Sequence, residues 1–325
     1  MRRGAITVGV WMCALALPFL AASANPDQPP PHTERFPDFS LGETPEEVRD
    51  GLARGPEFRR GIPARDLLEQ RRRLDDALDR LAPQDPERID AFVVAIALDS
   101  DPVFAREARE AGRVLARRYD AAERTLVLAG PDGTRDDLAH GSIEVLFVAL
   151  ARIAETLDPA EDVLVLYTTS HGLKEGLAYH YGNSGYGVLS PERLRDVLGE
   201  LQIARRIVIV NACYSGVFVP ALSSADTAIL TAAASERSSF GCEAENDWTF
   251  FGDALINRAL RKPQPLADAA REAGMTIARW ESDRMLLASL PQVAIGQGAQ
   301  RWLAALDARA PRLPGKPVGR PAIGD

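Results

Sequence analysis

Short apolar runs alternate with amphipathic stretches from Pro83 onward, and this alternation restricts the possible folds more than any other feature of the chain. It is typical of βαβ units, in which each strand is followed by a helix that packs on a mostly parallel sheet. The predicted strands lie at residues 92–98, 125–128, 163–168, 207–210, 227–231 and 293–295. The predicted helices lie at 103–118, 142–157, 191–201, 250–260 and 265–281. The sequence therefore predicts an α/β domain over residues 88–300, with a mostly parallel six-stranded sheet and helices on both faces.

The segments on either side of this domain differ from it in composition. Residues 25–87 are rich in proline and charge, and we predict an extended arm with one amphipathic helix at 66–81. Residues 301–325 form a Pro-rich tail, which we predict to be disordered. If the protein is made in a latent form, the arm is the expected inhibitory cap, because the tail is too short for that role.

The first 24 residues have the pattern of a signal peptide. Two arginines precede an uncharged stretch of 21 residues that ends in Ala22-Ser23-Ala24, the small-x-small pattern that signal peptidase cleaves. A stretch of this length also suits a single membrane anchor, but Pro18 and the Pro-rich chain that follows favour cleavage. We therefore expect an exported protein, periplasmic or secreted, that keeps no stable membrane association after cleavage.

The charge balance excludes two classes of partner. The whole chain has a formal net charge of −8, and loss of the two arginines in the signal peptide changes it to −10. Nucleic acids and anionic membrane surfaces attract basic proteins and repel acidic ones. We therefore expect neither as a partner, and the sequence leaves the oligomeric state open.

A histidine and a cysteine follow two of the predicted strands. His171 and Gly172 come after the strand at 163–168, and Cys213 comes after the strand at 207–210. If these strands are neighbours, their carboxyl ends lie about 5 Å apart, the ordinary interstrand spacing. The imidazole of His171 would then hold the proton of the Cys213 thiol and deliver it to a leaving amine. The N–H groups of Gly172 and Cys213 would form an oxyanion hole.

Other interpretations of these residues compete with catalysis. A lone His or Cys after a strand is more often structural, but here both occur at matching strand ends, in the order and spacing of caspase-type Cys/His enzymes. Cys213 and Cys242 are the two cysteines after the signal peptide, and a disulfide between them is the alternative in an oxidising compartment. Ser215 does not lie in a Gly-x-Ser-x-Gly elbow, which argues against a serine nucleophile. No metal site is predicted, because the remaining histidines lack the spacing typical of metal ligands; they are His32, His140 and His180.

The residues around the two candidates resemble the motifs of a known family. The stretches SHG at 170–172 and NACYSG at 211–216 are similar to the His-Gly and Ala-Cys-x-Ser-Gly motifs of the C13, or legumain-type, cysteine peptidases, particularly their bacterial exported members. The segments 234–242 and 250–253 resemble the part of that family that follows the fifth strand. The resemblance spans about residues 89–297. It implies a caspase-like three-layer sandwich, polypeptide substrates cut on the carboxyl side of a chosen residue, and no cofactor.

The resemblance also implies which residues line the pocket for the residue before the cut. Arg106 falls where the family has a pocket arginine, Asp253 where it has a pocket carboxylate, and Ser239 would add a hydroxyl. A guanidinium beside a carboxylate offers donors next to an acceptor, which a primary amide satisfies, so asparagine is the expected residue. Asn211 is neutral where legumains carry an acid. A more positive pocket would favour aspartate, which stays the alternative.

Together these features predict an exported cysteine endopeptidase that hydrolyses peptide bonds after Asn or Asp through Cys213 and His171. Two alternatives stay open. A transpeptidase or transamidase would use the same two residues but resolve the thioester with an amine instead of water. A catalytically silent caspase-fold protein would keep the fold and only bind its partner.

Overall fold

A computed structural model describes residues 25–39 and 41–323 of the chain. The predicted signal peptide at residues 1–24 lies outside the described residues. Within the described ranges, no helix combines the length and the apolar character that crossing a membrane requires.

The described residues contain ten strands and eight α-helices. The strands are β1 Glu57–Arg59, β2 Ala91–Ala97, β3 Thr125–Leu128, β4 Val163–Thr169, β5 Gly172–Leu173, β6 Gly176–Tyr181, β7 Gly185–Leu189, β8 Arg206–Asn211, β9 Thr227–Thr231 and β10 Gln292–Ile295. The helices are α1 Pro45–Arg54, α2 Ala64–Asp79, α3 Pro102–Arg118, α4 Ile143–Ala154, α5 Pro191–Glu200, α6 Phe218–Leu222, α7 Leu266–Asp283 and α8 Gln297–Asp307. A π-helical segment occupies Gly252–Arg258, and short 3₁₀ helices occupy Ala122–Arg124, Ser215–Val217 and Ala259–Arg261.

Six strands form the central sheet in the order β10-β9-β8-β4-β2-β3. Neighbouring strands run parallel, except that the edge strand β10 runs antiparallel to β9. All residues of β2, β4, β8 and β9 are buried, because helices on both faces of a parallel sheet keep water away from it. The predicted fold class is confirmed, and each of the six predicted strands begins and ends within one residue of its observed position.

The central sheet divides the core into two layers of side chains. Val93 and Val165 point to one face, where they join buried residues of α3, α7 and α8. Val94 and Leu166 point to the other face, where they join buried residues of α2, α4 and α5. Successive residues of a strand alternate between faces, so the same strands fill both layers and the domain has the predicted order of helix, sheet and helix.

A second, smaller sheet is antiparallel and has the order β1-β7-β6-β5. β5 begins at Gly172, so this sheet starts directly at the predicted active site. Its strands were not predicted from the sequence. Gly176, Gly185 and Gly187 interrupt the apolar alternation that identifies a strand.

The arm is more structured than predicted. Besides α2, residues 25–87 contain α1 and β1. α1 begins with a capping box, in which the Thr44 side chain accepts from the N–H of Glu47 and the Glu47 carboxylate accepts from the N–H of Thr44. β1 pairs with β7 through residues such as Phe58 and Tyr186. The prediction of an extended arm with one helix is therefore wrong for this part of the chain.

The carboxyl-terminal end also departs from its prediction. α8 crosses the predicted domain boundary at residue 300. In the tail, the carbonyl of Val318 accepts a hydrogen bond from Trp248 Nε1 over 2.8 Å, and the N–H of Gly315 donates to the carbonyl of Arg261 over 2.9 Å. The tail is thus held against the domain by its backbone, and the prediction of a disordered end is wrong for these residues.

Candidate active site

His171 and Cys213 lie at the carboxyl edge of the central sheet, beyond the ends of two neighbouring strands. β4 and β8 are parallel, and the last pair in their register joins Thr169 and Asn211. His171 lies two residues after Thr169, and Cys213 lies two residues after Asn211. The predicted adjacency of the two strands is confirmed, and it brings both side chains to the edge where ligands bind in open α/β sheets.

Gly172 brings the two strand ends into close backbone contact. A Cβ atom at this position would lie 1.8 Å from the carbonyl oxygen of Cys213 and 2.9 Å from its nitrogen. No other residue type fits such an approach. Beyond the cysteine, Tyr214 adopts a left-handed φ of 56°, and its N–H donates to the carbonyl of Arg237 over 2.8 Å. The backbones of Gly172 and Cys213 are therefore adjacent, and their role as an oxyanion hole stays a prediction.

The sulfur of Cys213 is surrounded by hydrogen-bond donors. The N–H of Ser239 donates to it over 3.3 Å, and the Ser239 hydroxyl oxygen lies 3.7 Å away. A hydrogen bond from the Cys242 thiol is the largest influence on the pKa of Cys213 and lowers it; burial opposes this, while Ser239 and the charge of His171 lower the pKa further. Both cysteines are free, so the alternative of a disulfide is not formed in this structure. Ser239, predicted to line the pocket, lies at the sulfur itself.

Cys213 is expected to react with iodoacetamide faster than Cys242, and to keep its reactivity in mild acid. The thiolate is the reacting species, and the hydrogen bond that lowers the pKa of Cys213 raises the pKa of Cys242. An ordinary thiol loses roughly 100-fold in reactivity from about pH 8 to about pH 6, whereas Cys213 should lose less than about tenfold. Timed alkylation followed by peptide mapping measures both rates in one sample, so Cys242 is an internal control. Faster labelling of Cys242 would contradict the assignment.

A carboxylate orients the imidazole of His171. Nε2 of His171 lies 3.0 Å from Oδ2 of Asp101, and the ring of Phe104 packs against the imidazole with 5.0 Å between centroids. Burial disfavours the charged imidazole, but the hydrogen bond to Asp101 and the charges of Asp99, Asp101 and Cys213 outweigh it, so the pKa of His171 is raised. Because Nε2 is held by Asp101, Nδ1 is the nitrogen left to exchange protons. A raised pKa on His171 and a lowered one on Cys213 favour a thiolate–imidazolium pair near neutral pH.

Asp101 was not among the site residues predicted from the sequence. This residue follows β2, which is the neighbour of β4 in the sheet, and it is the N-cap residue of α3. The signal that identified His171 and Cys213 would also have found it, since Asp99, Ser100 and Asp101 are polar residues directly after a buried strand.

Replacing Asp101 with asparagine is expected to lower kcat/KM by about 100-fold near neutral pH. The substitution keeps the size of the side chain but removes the charge that raises the pKa of His171. His171 should then lose its proton at lower pH, so the alkaline limb of the pH–rate profile should move to lower pH. Asp75→Asn is the matched control, because Asp75 pairs with Arg71 on the exposed side of α2. An unchanged pH profile in Asp101→Asn would show that the carboxylate does not act on His171.

The predicted pocket pair of Arg106 and Asp253 is not formed. Asp253 is buried, and its carboxylate accepts hydrogen bonds from Asn257 over 2.8 Å and from Arg258 over 3.1 Å. The i to i+5 repeat of the π-helical segment places Asp253 and Arg258 on the same side, which explains this pairing. Nε of Arg106 instead lies 3.6 Å from Oδ1 of Asp247, and its other nitrogens donate to backbone carbonyls at positions 132, 244 and 246. The carboxylate beside Arg106 is therefore Asp247.

A buried acid lies beneath the strand ends. Glu107 is fully buried, and its carboxyl oxygens accept from Asn211 Nδ2 over 2.7 Å, from Thr169 Oγ1 over 2.8 Å and from Thr249 Oγ1 over 2.9 Å. Burial raises the pKa of Glu107 to about 7, although the hydrogen bonds from the two threonines oppose it. The network ties α3 to the last residues of β4 and β8. An acid is thus present beside Asn211, although residue 211 itself is neutral.

The part of the chain that contains these residues is similar to a known family. The model of the peptidase C13 family matches residues 153–296, a range that includes both His171 and Cys213. A comparison with curated proteins finds no match. Among solved structures, the crystal structure of caspase-1 from Spodoptera frugiperda is similar to 66% of this chain and 92% of the caspase chain, with 14% identity and a TM-score of 0.41. Residues 153–296 are thus similar to the peptidase C13 family.

Proposed function

We propose that the protein is an exported cysteine endopeptidase in which Cys213 is the nucleophile and His171 is the general acid and base. The observation that carries the proposal is the convergence of these two side chains at adjacent strand ends, together with the donors around the Cys213 sulfur and the carboxylate on His171. Structural cysteines and histidines are not expected to show this combination. The family match supports a peptidase-type activity.

The proposed reaction begins with attack of the Cys213 thiolate on the carbonyl carbon of the scissile peptide bond. The carbonyl electron pair moves to oxygen, where the N–H groups of Gly172 and Cys213 stabilise the charge. Protonated His171 then donates its proton to the leaving amine, and the carbon–nitrogen bond breaks to give a thioester. His171, now neutral, removes a proton from water, which attacks the thioester and releases the acid and the thiolate.

The preference for asparagine before the cut is part of the proposal, with Asp247 in the role that Asp253 was predicted to play. Segment 239–247 runs from the Cys213 sulfur, which Ser239 contacts, to Arg106, which residues 244 and 246 contact. The side chains of Arg106 and Asp247 are 26% and 27% exposed, so a substrate can reach them. A side-chain amide can accept from the Arg106 guanidinium and donate to the Asp247 carboxylate. Aspartate could only accept, and its charge would oppose that of Asp247.

Incubation of residues 25–325 with a diverse peptide library tests the proposal when the cleavage positions are read by mass spectrometry. We expect cleavage after asparagine, with kcat/KM for matched Asn and Asp peptides differing by about tenfold or more near neutral pH. The difference should narrow in acid, as the aspartate of the substrate becomes protonated. Asp247→Asn should shift the ratio toward aspartate, and Asp75→Asn should leave it unchanged.

The outcomes of this experiment separate activity from specificity. Cleavage after basic or large apolar residues would support the proposed peptidase activity but contradict the assigned pocket. A product that incorporates an added amine would identify the transpeptidase chemistry of the same dyad. Absence of any cleavage by a chain whose Cys213 is shown to be reduced would overturn the proposed activity.

A further inference from the structure

A cluster of possible metal ligands lies where the arm meets the catalytic domain. We call it the arm cluster, and it consists of His32 of the arm, Asp99 after β2, and His180 of β6. One ligand atom of each residue lies within 4.8 Å of those of the other two. Nε2 of His32 is 3.5 Å from Oδ1 of Asp99, and the rings of His32 and His180 stack with 3.6 Å between centroids. The fold therefore brings together two imidazoles and a carboxylate from distant positions in the chain. Their spacing in the sequence does not indicate a metal site.

Two atoms of the arm cluster lack the partners that buried polar atoms require. Oδ2 of Asp99 and Nε2 of His180 form no hydrogen bond with any residue in the described ranges. Both residues are more than nine-tenths buried, with 4% of Asp99 and 7% of His180 exposed. Nε2 of His32 lies 2.9 Å from Ser100 Oγ, and because that hydroxyl donates to the carbonyl of Pro30, Nε2–H of His32 donates to it, with a proton that a cation would displace. Folded proteins leave few buried polar atoms unsatisfied, and a single cation that accepts electron pairs from the three side chains would satisfy them.

Asp99 also forms a second close group with Asp101 and His171, but neither of these residues donates a hydrogen bond to Asp99 Oδ2 or forms one with His180 Nε2. Asp101 and His171 lie next to the arm cluster, but they are hydrogen-bonded to each other over 3.0 Å. Oδ1 of Asp101 is 3.8 Å from Nδ1 of His32, on the other side of the His32 ring from Asp99. The unsatisfied atoms thus belong to the arm cluster and not to the proposed catalytic residues.

We propose that the arm cluster binds one divalent transition-metal cation, for which Zn²⁺ has the best chemical fit. Imidazole nitrogens and a carboxylate oxygen are a typical zinc donor set, and three protein ligands leave a fourth tetrahedral position for water. Two neutral imidazoles and one carboxylate give the site a net charge of −1, which suits a cation. Stacked rings direct their nitrogens side by side, so binding of the ion requires the His32 ring to tilt out of its stack on His180.

A cation at this site would join the arm to the catalytic domain. Other contacts also hold this segment of the arm, such as those of the Asn183 side chain with the N–H groups of Thr33 and Glu34, and the packing of Phe36 on His180. The ion would connect His32 to Asp99, which stands in the same short loop as Asp101, the partner of His171. Binding of the ion is therefore coupled to the position of the arm beside the active site.

The test uses residues 25–325 carrying Cys213→Ala, because a thiolate beside a histidine is a competing zinc ligand. Chelator-treated protein is titrated with ZnCl₂ by calorimetry, and with CoCl₂ to record the visible absorption of a four-coordinate site. We expect one equivalent to bind, and His32→Ala to weaken binding by at least about 100-fold, since even the loss of an outer partner costs 10–100-fold. His180→Ala should act likewise, and His140→Ala is the matched control, because His140 stacks on Tyr181 and lies outside the arm cluster.

A second readout follows the arm itself. Trypsin can cut after the exposed Arg35, and zinc should slow this cut in the parent chain but not in His32→Ala. Because His32 is on the arm, its loss should leave the melting temperature of the metal-free domain close to that of the parent. Stoichiometric zinc binding that survives His32→Ala, that is lost equally in His140→Ala, or that does not occur at all would overturn the proposal. None of these readouts depends on peptidase activity.

Discussion

Replacing Cys213 with alanine is expected to abolish peptide cleavage, with a loss of at least about 1,000-fold in kcat. The sulfur is the proposed nucleophile, and no other side chain at the strand ends can form the thioester. His171→Ala should have nearly the same effect, and the double variant should be little worse than either, because residues that act as a unit are not additive. The measurement is the rate of cleavage of the best library peptide at enzyme concentrations high enough to detect a thousandfold loss.

Cys242→Ala is the matched control for the first prediction. It removes a cysteine that contacts the nucleophile but has no proposed part in bond breaking, so cleavage should persist, with a pKa of Cys213 closer to the ordinary value. Thermal unfolding of all variants should show that each is folded. If Cys213→Ala kept full activity while folded, the proposed dyad would be wrong.

Gly172→Ala is expected to lower kcat/KM by at least about 100-fold. The added Cβ would lie 1.8 Å from the carbonyl oxygen of Cys213, so one of the two strand ends must move. A displacement of about 1 Å at catalytic groups costs about 100-fold in rate, and the overlap should also lower the free energy of unfolding by about 1–3 kcal/mol. Kinetics and chemical denaturation of the same preparation measure both effects.

Gly199→Ala provides the comparison for the second prediction. Gly199 lies in α5, and a Cβ atom there would have nothing within 4 Å. Alanine is the better helix former, so the free energy of unfolding should rise by about 0.5–1 kcal/mol with activity unchanged. Full activity in Gly172→Ala would mean that the close approach of Gly172 to Cys213 is not needed for catalysis.

Features of the fold that depend on local patterns could be predicted from the sequence. The strands of the central sheet are continuous apolar runs, and helix starts such as Ser190, whose hydroxyl accepts from the N–H of Arg193, carry a local capping signal. β5, β6 and β7 lack such a signal, because their glycines leave no side-chain pattern to follow. β1 and the bound tail depend on partners that are distant in the chain, and local composition does not reveal them.

In the candidate site, too, some residues could be placed from the sequence and others could not. His171 and Cys213 could be placed together because both follow strands whose adjacency is dictated by βαβ topology. Asp253 could not be placed correctly, since the sequence of residues 252–258 reads as an ordinary α-helix, and only the π-helical repeat brings Asp253 to Arg258. The contact between Arg106 and Asp247 arises from an irregular loop, for which the sequence offers no periodicity.

The pairing of β1 with β7 has a consequence for any shortened form of the protein. β7 lies inside the small sheet only because the arm supplies β1 as its neighbour, and Phe58 of β1 covers Tyr186 with 5.1 Å between ring centroids. A fragment that begins after residue 60 would expose the backbone N–H and C=O groups of β7 as an open edge beside an uncovered aromatic ring. Open edges of this kind promote strand-to-strand association between molecules. We therefore expect the arm to keep the domain soluble, and we expect a domain from which a protease has removed the arm to aggregate.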